Sequence, residues 1–289
     1  MNEQHAGGTP APQEAACAVT AEARSKLARL EEILASYGSL LIAYSGGVDS
    51  AFLAAVAAKV LKERALAVTA ESESLAPEEL GSAAALARQL GIAHEVIRTE
   101  ELREEQYAAN TLERCGFCKA ELMGKLAEIA RRRGFKLIAL GANVDDLGDI
   151  RPGEQAAAQR GAVFPLREAG LRKAEIRGLS REMGLPTWDK PAAACLSSRI
   201  PFGERITAEK LSQVARGEAI LHQAGFRACR LRHHGTIARL EVPAAEMPAL
   251  LAKAAEIVKA LKALGFVYVT VDLQGLRSGS LHEATGRGR

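Results

Sequence analysis

The stretch Ala43-Tyr44-Ser45-Gly46-Gly47-Val48-Asp49-Ser50 restricts the fold more than any other part of the chain. An apolar run, Leu40-Leu41-Ile42-Ala43, enters it, and a smooth helical run from Ala51 to Ala58 leaves it. That pattern is strand, tight turn, helix. Glycine has no Cβ, so a ligand can come close to the backbone there. The turn aims free amide N–H groups and the positive end of a helix dipole at one point, which suits a phosphate. Ser45 and Ser50 add hydroxyl donors. The Lys of the G-x-x-x-x-G-K-[ST] loop is missing, so the ordinary γ-phosphate cradle is excluded. The competing account is a plain glycine turn whose helix is capped by Asp49 or Ser50.

A length of 289 residues suggests about two domains. The apolar fraction of 48% and charged fraction of 25% are ordinary for a soluble globular protein, which excludes a fibrous or wholly disordered chain. Aromatic residues are only 4%, so the core is expected to be aliphatic. A net charge of +3 gives no argument for nucleic acid as a partner. The chain contains no run of about eighteen apolar residues, so no membrane span is expected. The first twenty residues are rich in Ala, Gly and Pro, without a basic start followed by an apolar core. They read as a disordered tail rather than a secretory signal. Five cysteines, an odd number, fit reduced thiols in the cytoplasm.

Residues 24–37 repeat apolar side chains at Leu27, Leu30, Ile33 and Leu34, a helical period that Gly38 ends. After the glycine loop, residues 65–70 read as a second strand and 77–90 as a helix with Pro77 in its first turn. Residues 93–98 read as a third strand, 119–133 as a helix closed by Gly134, and 135–140 as a fourth strand. Strands alternating with helices predict an α/β fold, a parallel sheet with helices on both faces. Ligands of such sheets bind beyond the carboxyl ends of the strands. The glycine loop lies there, and so does the stretch 141–149. Its Asn143 and its acids Asp145, Asp146 and Asp149 suit Mg²⁺, although a surface turn rich in Asx residues explains them too.

Residues 156–164 lack a period and are expected to form a mobile loop, and 171–183 a short amphipathic helix. Residues 186–204 are irregular yet specific, with Trp188, Asp189, Lys190, Cys195, Ser197, Ser198, Arg199 and Pro201. A loop of that kind in a compact protein is usually functional. Beyond Thr207, a helix to 224, strands at 226–232 and 236–242, a helix at 244–264 and a strand at 266–273 predict a smaller α+β domain. The expected divisions are a disordered tail to 21, a nucleotide-binding domain 22–185, a catalytic linker 186–206, a substrate-binding and oligomerisation domain 207–283, and a tail 284–289.

Cys115-Gly116-Phe117-Cys118 precedes the helix at 119, and Cys195 stands far downstream in the linker. Cys17 falls in the tail, and Cys229, alternating with Leu231, reads as buried packing. A single C-x-x-C leaves several readings open. It can be a redox pair, although the surrounding pattern is wrong for one, or part of a zinc site, although a second C-x-x-C is lacking. Three thiolates from two segments can hold a [4Fe–4S] cluster with one iron open. Half-buried thiols without a ligand remain an equal reading.

Ser45 to Ser50 matches the PP-loop pattern, whose enzymes grip the pyrophosphate of ATP while a substrate oxygen attacks the α-phosphate. Three more segments follow it in order: Gly141-Ala142-Asn143-Val144-Asp145-Asp146-Leu147-Gly148-Asp149-Ile150-Arg151-Pro152-Gly153, Pro191-Ala192-Ala193-Ala194-Cys195-Leu196-Ser197-Ser198-Arg199-Ile200-Pro201, and Leu231 to Arg239. Over about residues 22–283 the chain closely resembles the ATP-dependent sulfur transferases of nickel-pincer nucleotide synthesis, which serve the cofactor of lactate racemase. The PP-loop is common to many enzymes; the segment around Cys195 is much more specific.

The resemblance implies that a pyridinium-3,5-biscarboxylic acid mononucleotide is adenylated on a carboxylate, and that sulfur then displaces AMP to leave a thiocarboxylate. It implies ATP and Mg²⁺ as cofactors, with Ser45, Gly46, Gly47, Asp49, Ser50 and Asn143 toward the nucleotide and Asp145 and Asp146 toward the metal. Some family members carry only the cysteine matching Cys195, which gives up its own sulfur. Others add the pair matching Cys115 and Cys118 and are thought to bind a [4Fe–4S] cluster; with all three, this chain resembles the cluster type. Cys195 is then a cluster ligand fed by sulfide or another sulfur donor, and a cytoplasmic homo-oligomer is expected. A substrate with a phosphate and two carboxylates needs cations. Arg230 and Arg232 share a strand face with His234 by alternation, an exposed basic edge being the rival account. Arg199 is assigned to substrate or AMP, and Trp188 is either a stacking partner or a packed anchor. The alternative activity is tRNA thiolation by a PP-loop enzyme, disfavoured by the low charge and the lack of a basic or aromatic RNA platform.

Overall fold

The computed structural model describes residues 19–148, 152–191 and 194–277. The expectations for Cys17, Asp149 and the two tails beyond these bounds lie outside the described residues.

Thr20 caps α1 (Ala21–Tyr37) by accepting from the Ala23 amide at 3.1 Å, and Gly38, at φ 74°, ends it. β1 (Leu40–Ala43) is an unbroken apolar run, as a strand covered on both faces requires. α2 (Val48–Leu61) buries ten of its 14 residues, so it is a core helix rather than an amphipathic one. β2 (Ala65–Glu71), α3 (Pro77–Gln89) and β3 (Ala93–Arg98) follow, then the single turn α4 (Glu105–Ala108). α5 (Arg114–Arg133) ends at Gly134, which is left-handed at φ 75°. β4 (Leu137–Leu140), α6 (Pro152–Ala158), β5 (Ala162–Val163), α7 (Pro165–Glu168) and α8 (Lys173–Glu182) complete the first half.

The strands form a parallel sheet in the order β3-β2-β1-β4-β5. Alternate residues of β1 and β2 face opposite layers. Leu40, Ile42, Ala65 and Ala67 pack with α1, α2 and α8, while Leu41, Leu66 and Val68 pack with Met123, Leu126 and Ile129 of α5. The chain order runs outward from β1 to β3, then jumps back so that β4 pairs with the other side of β1. The crevice of an open parallel sheet lies at such a reversal. Register aligns Leu40 with Leu137 and Ala43 with Leu140, so the loops after β1 and β4 leave the sheet side by side.

The second half is α9 (Ala208–Gln223), β6 (Arg230–His234), β7 (Ile237–Glu241), α10 (Met247–Ala252), α11 (Ala254–Ala263) and β8 (Tyr268–Val271). β6 and β7 are antiparallel, and β7 and β8 parallel, in the order β6-β7-β8. Tyr107, Leu196, Ile200 and Ile206 share the core of this sheet with Leu211, Leu231 and Leu261. The linker is therefore folded into the second core. Among the described residues no helix is long and apolar enough to cross a membrane.

The α/β expectation holds, with several local differences. The helix expected from residue 119 starts at Arg114, so Cys115 and Cys118 are on its first turns. Gly116 weakens the helical signal there, but Arg114 is locked by Asn110 and by the Ser197 carbonyl, and tertiary contact overrides propensity. The expected mobile loop at 156–164 is the end of α6 plus the fifth strand, β5. α6 is placed by its Gly153, where a Cβ would stand 2.8 Å from Lys119 Cγ and 3.1 Å from the Cys115 carbonyl oxygen. The helix expected over 244–264 breaks at Lys253 into α10 and α11. Cys229 is buried as expected, one residue ahead of β6 rather than on a strand.

At Gly217 of α9 an added Cβ would lie 2.3 Å from Leu231 Cδ1 and 3.3 Å from Leu261 Cδ2, both side chains being fully buried. Gly217→Ala should therefore destabilise the protein by about 1–3 kcal/mol through overpacking, despite alanine's better helix propensity. Chemical denaturation of both proteins measures the difference.

Candidate functional site

The N-cap of α2 is Gly47, with φ −79° and ψ 168°, and no side chain caps the helix. The competing account, a cap by Asp49 or Ser50, is thus not met, and the helix end is open. Asp49 sits in the first turn, and Ser50 turns inward: its hydroxyl donates to the Gly47 carbonyl at 3.2 Å and contacts Ser45 Oγ at 3.1 Å. The first helical bond runs from the Ala51 amide to the Gly47 carbonyl at 2.9 Å. The amides of Val48 and Asp49 precede it and point out of the helix end, toward any anion lodged there. Gly46 has φ 69°, and a Cβ on it would stand 2.8 Å from Ala83 Cβ of α3. A Cβ at Gly141 would be 2.9 Å from the Ser50 nitrogen, so the loop after β4 lies directly on the start of α2. Both glycines are needed for close approach.

Asp49 is gripped by Lys173, an ion pair between α2 and α8, and its Oδ1 accepts from Asn143 Nδ2 at 3.3 Å. Asp145 and Asp146 are occupied in shaping the loop. Asp146 accepts from the Asn143 amide at 2.8 Å, and Asp145 accepts from the Lys173 amide at 2.8 Å and Arg172 Nη1 at 2.9 Å. The turn-forming account of these two acids therefore holds, while Asp49 stands in the first turn at the open helix end. Sequence reasoning missed Lys173. Its signal was Arg172-Lys173 opening a helix, where cations oppose the dipole and so call for acidic partners.

A second missed cation is Lys190. Its Nζ donates to the Gly46 carbonyl at 3.1 Å and pairs with Glu79 at 2.5 Å, which fastens the linker to the glycine loop. Trp188 proves to be an anchor: Arg181 lies over its ring at 5.0 Å, and Arg177 holds its carbonyl at 2.6 Å.

Five residues beyond Lys190, exposed Cys195 heads a single 3-10 turn, Leu196–Arg199. Five residues span at most about 18 Å, so the thiol lies within that reach of the loop-bound lysine backbone. The backbone around it is held from several sides. The Leu196 amide donates to the Ser74 carbonyl at 2.9 Å, Tyr107 and Ser197 share a hydroxyl bond of 2.7 Å, and Arg114 reaches the Ser197 carbonyl at 3.0 Å. The segment thus rests on the start of α5, which carries exposed Cys115 and half-buried Cys118. Burial pushes the Cys118 thiol up to about 12, helped by negative charge at Glu101, Cys195 and Cys115 and opposed by Lys119. Those groups are therefore within electrostatic reach of one another. Among the described residues, however, no three His, Cys, Asp or Glu side chains stand together as a ready metal-ligand set. Buried Cys229 is likewise pushed up to about 12 by burial.

The expected arginines gather on the far side of Cys195. Arg199 is buried and forms a two-point pair with Glu218 at 2.8 and 3.1 Å. Arg232 is buried rather than on an exposed edge, paired with Glu241 at 2.8 and 3.2 Å, and its Nη1 donates to the Ser198 carbonyl at 2.6 Å. Arg230 lies 3.9 Å from Glu241, and burial together with the charges of Arg199 and Arg232 lowers its proton affinity. His234 joins no ion pair of this group. Arg239 joins them through Glu241 at 3.2 Å and Asp272 at 3.7 Å, so among the described residues four arginines gather with three acids.

Comparison with known proteins divides along the same geometry. The NAD synthase family model matches residues 26–147, which span the glycine loop and the acidic loop but stop short of the linker. A pyridinium-3,5-bisthiocarboxylic acid mononucleotide synthase of Lactiplantibacillus plantarum is 34% identical over 260 residues, covering 90% of this chain and 94% of that protein. The chain belongs to the pyridinium-3,5-bisthiocarboxylic acid mononucleotide synthase family. An uncharacterised protein of Synechocystis sp. is 46% identical over 260 residues (89% of this chain, 97% of the relative), and one of Methanocaldococcus jannaschii is 25% identical over 239 residues (83% and 91%). These matches extend well beyond the residues covered by the NAD synthase model.

In metal-free protein at pH 8, a thiol with a pKa of about 12 is ionised in only about one molecule in ten thousand. Iodoacetamide should modify Cys115 and Cys195 and spare Cys118 and Cys229, as peptide mass spectrometry will show. Equal labelling of Cys118 would contradict the buried, negatively surrounded thiol described above.

Proposed function

We propose that this protein is an ATP-dependent sulfur transferase that converts a pyridinium-3,5-biscarboxylic acid mononucleotide into its thiocarboxylates. The observation that carries the reading is the linker. It is bound to the glycine loop through Lys190 and to the arginine cage through Ser198, with exposed Cys195 between them. The Lactiplantibacillus plantarum relative, a pyridinium-3,5-bisthiocarboxylic acid mononucleotide synthase, supports the substrate class. The units proposed are residues 22–185 for the nucleotide, 186–206 for sulfur delivery and 207–283 for substrate, in a cytoplasmic homo-oligomer.

A carboxylate is a poor acyl donor because its leaving group would be oxide. Attack of a substrate carboxylate oxygen on the α-phosphate of ATP gives an acyl adenylate and releases pyrophosphate. The open amides of α2, with Ser45, Gly46 and Gly47, hold the pyrophosphate and stabilise its growing charge, which is electrostatic rather than covalent help. Asp49, with Asn143 beside it, would hold Mg²⁺ against the phosphates, and the metal would supply further charge neutralisation. Asp145 and Asp146 keep that loop in shape. Arg199, Arg230 and Arg232 are the proposed counter-charges for the substrate phosphate and second carboxylate. A sulfur nucleophile then attacks the acyl carbon, the C–O bond to AMP breaks, and a thiocarboxylate remains. A second round treats the other carboxylate.

Cys115, Cys118 and Cys195 would hold a [4Fe–4S] cluster. The donor chemistry fits, since a half-buried thiol surrounded by negative charge is relieved by a cationic group. When bound, the cluster supplies an iron without a protein ligand at which sulfide is carried. The competing source is the sulfur of Cys195 itself.

Two measurements test the reading. Asp49→Ala should lower substrate-dependent ATP–pyrophosphate exchange by about 100-fold or more, whereas Cys195→Ala should keep exchange and form no thiocarboxylate. Sulfur transfer by Cys195→Ala would refute the role given to that thiol. Anaerobically purified protein should be brown and contain iron and sulfide; a colourless chain that loses the mass of hydrogen sulfide after one turnover would assign the sulfur to Cys195 instead.

A further inference from the structure

Asn110 is completely buried and stands between α4 and α5 at φ 57°. It is one of two non-glycine residues with positive φ among the described residues. Its Nδ2 donates toward the carbonyls of Ile200 at 3.2 Å, Pro201 at 2.7 Å and Glu204 at 3.0 Å. Its own carbonyl accepts from the Gly203 amide at 3.1 Å. Its Oδ1 accepts from Arg114, whose Nη1 also reaches the Ser197 carbonyl at 3.0 Å and whose guanidinium lies over the Phe202 ring at 5.5 Å. The adjoining pair, Ile206 amide to Ala108 carbonyl at 2.8 Å, continues the same seam.

This part of the linker has no strand or helix to satisfy its backbone, and Pro201 brings no N–H. Its buried carbonyls need donors from elsewhere. Asn110 supplies them from a left-handed backbone that asparagine tolerates well and most residues do not. Glycine would keep the backbone and lose the amide. Alanine would lose both. Aspartate would keep the shape, remove the donor and set a buried charge against carbonyl oxygens.

We propose that Asn110, acting through Arg114, is a positioning residue that sets the Cys195 turn at a fixed place over the first turns of α5. Arg114 opens the helix that carries Cys115 and Cys118, so the seam joins the two cysteine-bearing segments through the polypeptide alone. The spacing of the donor thiol is then a property of the chain before any sulfur carrier arrives. The open end of α2 is built from other segments, and Arg199 is held independently by Glu218 of α9, so adenylation does not depend on this seam. The proposal rests on the sulfur-transfer reading, which it deepens by naming what aims the donor.

The test uses the full chain as wild type, Asn110→Gly, Asn110→Ala and Arg114→Gln. Four readouts are taken: thermal midpoint, substrate-dependent ATP–pyrophosphate exchange, thiocarboxylate formation, and cross-linking of Cys195 to Cys115 by a short bis-maleimide in metal-free protein. Asn110→Gly should retain exchange, lose about 100-fold in thiocarboxylate formation, and lose the cross-link. Asn110→Ala should behave alike with a lower midpoint, because it adds backbone strain. Retained thiocarboxylate formation and cross-linking in Asn110→Gly would overturn the proposal. So would a parallel fall of exchange and transfer in both Asn110→Gly and Arg114→Gln, which would reduce the seam to general stability. If the wild-type chain shows no exchange, the sulfur-transfer reading fails. The cross-link then judges the positioning claim separately, its loss in Asn110→Gly supporting it and its persistence overturning it.

Discussion

The uncapped start of α2 is the constraint around which the molecule is arranged. A helix end without a capping side chain leaves amide hydrogens in search of an acceptor, and a buried one would be costly. Here the end opens at the reversal between β1 and β4, where a parallel sheet has its crevice. Gly46 lets α3 close in from one side and Gly141 lets the loop after β4 close in from the other. Neither side offers an acidic cap. The open amides so placed would suit a phosphate, and among the described residues no side chain caps them.

Most of the cations around this crevice and the neighbouring cage already have acidic partners. Lys173 holds Asp49, Lys190 holds Glu79, Arg199 holds Glu218 and Arg232 holds Glu241. Pairing of this kind answers a physical difficulty. A site meant for a polyanion concentrates positive charge, and unpaired buried charge is strongly unfavourable. The two groups of pairs differ in exposure. The Arg199 and Arg232 pairs are almost wholly buried, so they stiffen the cage. The Lys173–Asp49 pair keeps side-chain exposures of 33% and 20%, so it stays open to solvent and to exchange of partners. A partly solvated pair of this sort adds little net stability, which is what an exchangeable contact requires.

The parts legible in the sequence were those governed by local rules. Glycine loop, apolar strands and terminating glycines each act within a few residues, so the parallel sheet and the phosphate turn could be read directly. The C-x-x-C helix start could not, because Arg114 is held by Asn110 and by Ser197, a contact across 83 residues. β5 is two residues long and exists only because β4 offers an edge. Lys173, Lys190, Glu218 and Asn110 carried no motif; each matters through a partner distant in sequence. Alternation set Arg230 and Arg232 on one strand face, with an exposed basic edge as the rival account, and the structure brings them together with Arg199 in a largely buried group. Their burial follows from Glu218 and Glu241, whose inward positions period-two counting does not reveal.

The cysteines show how environment divides labour among identical groups. Cys195 is exposed while the backbone beside it is tied at Leu196, Ser197 and Ser198. A thiol so placed reaches a reaction partner without first being desolvated, and little conformational freedom remains to be lost on attack. Cys118, about one helical turn beyond Arg114 of the same seam, packs against the second core and meets the negative charge of Glu101. Ionising it in the bare protein is strongly disfavoured. The same surroundings become favourable once a positive group is bound, because each negative neighbour then attracts rather than repels. On the proposed reading, the bare protein has two accessible thiols, Cys115 and Cys195, and a third, Cys118, held silent until the sulfur carrier binds.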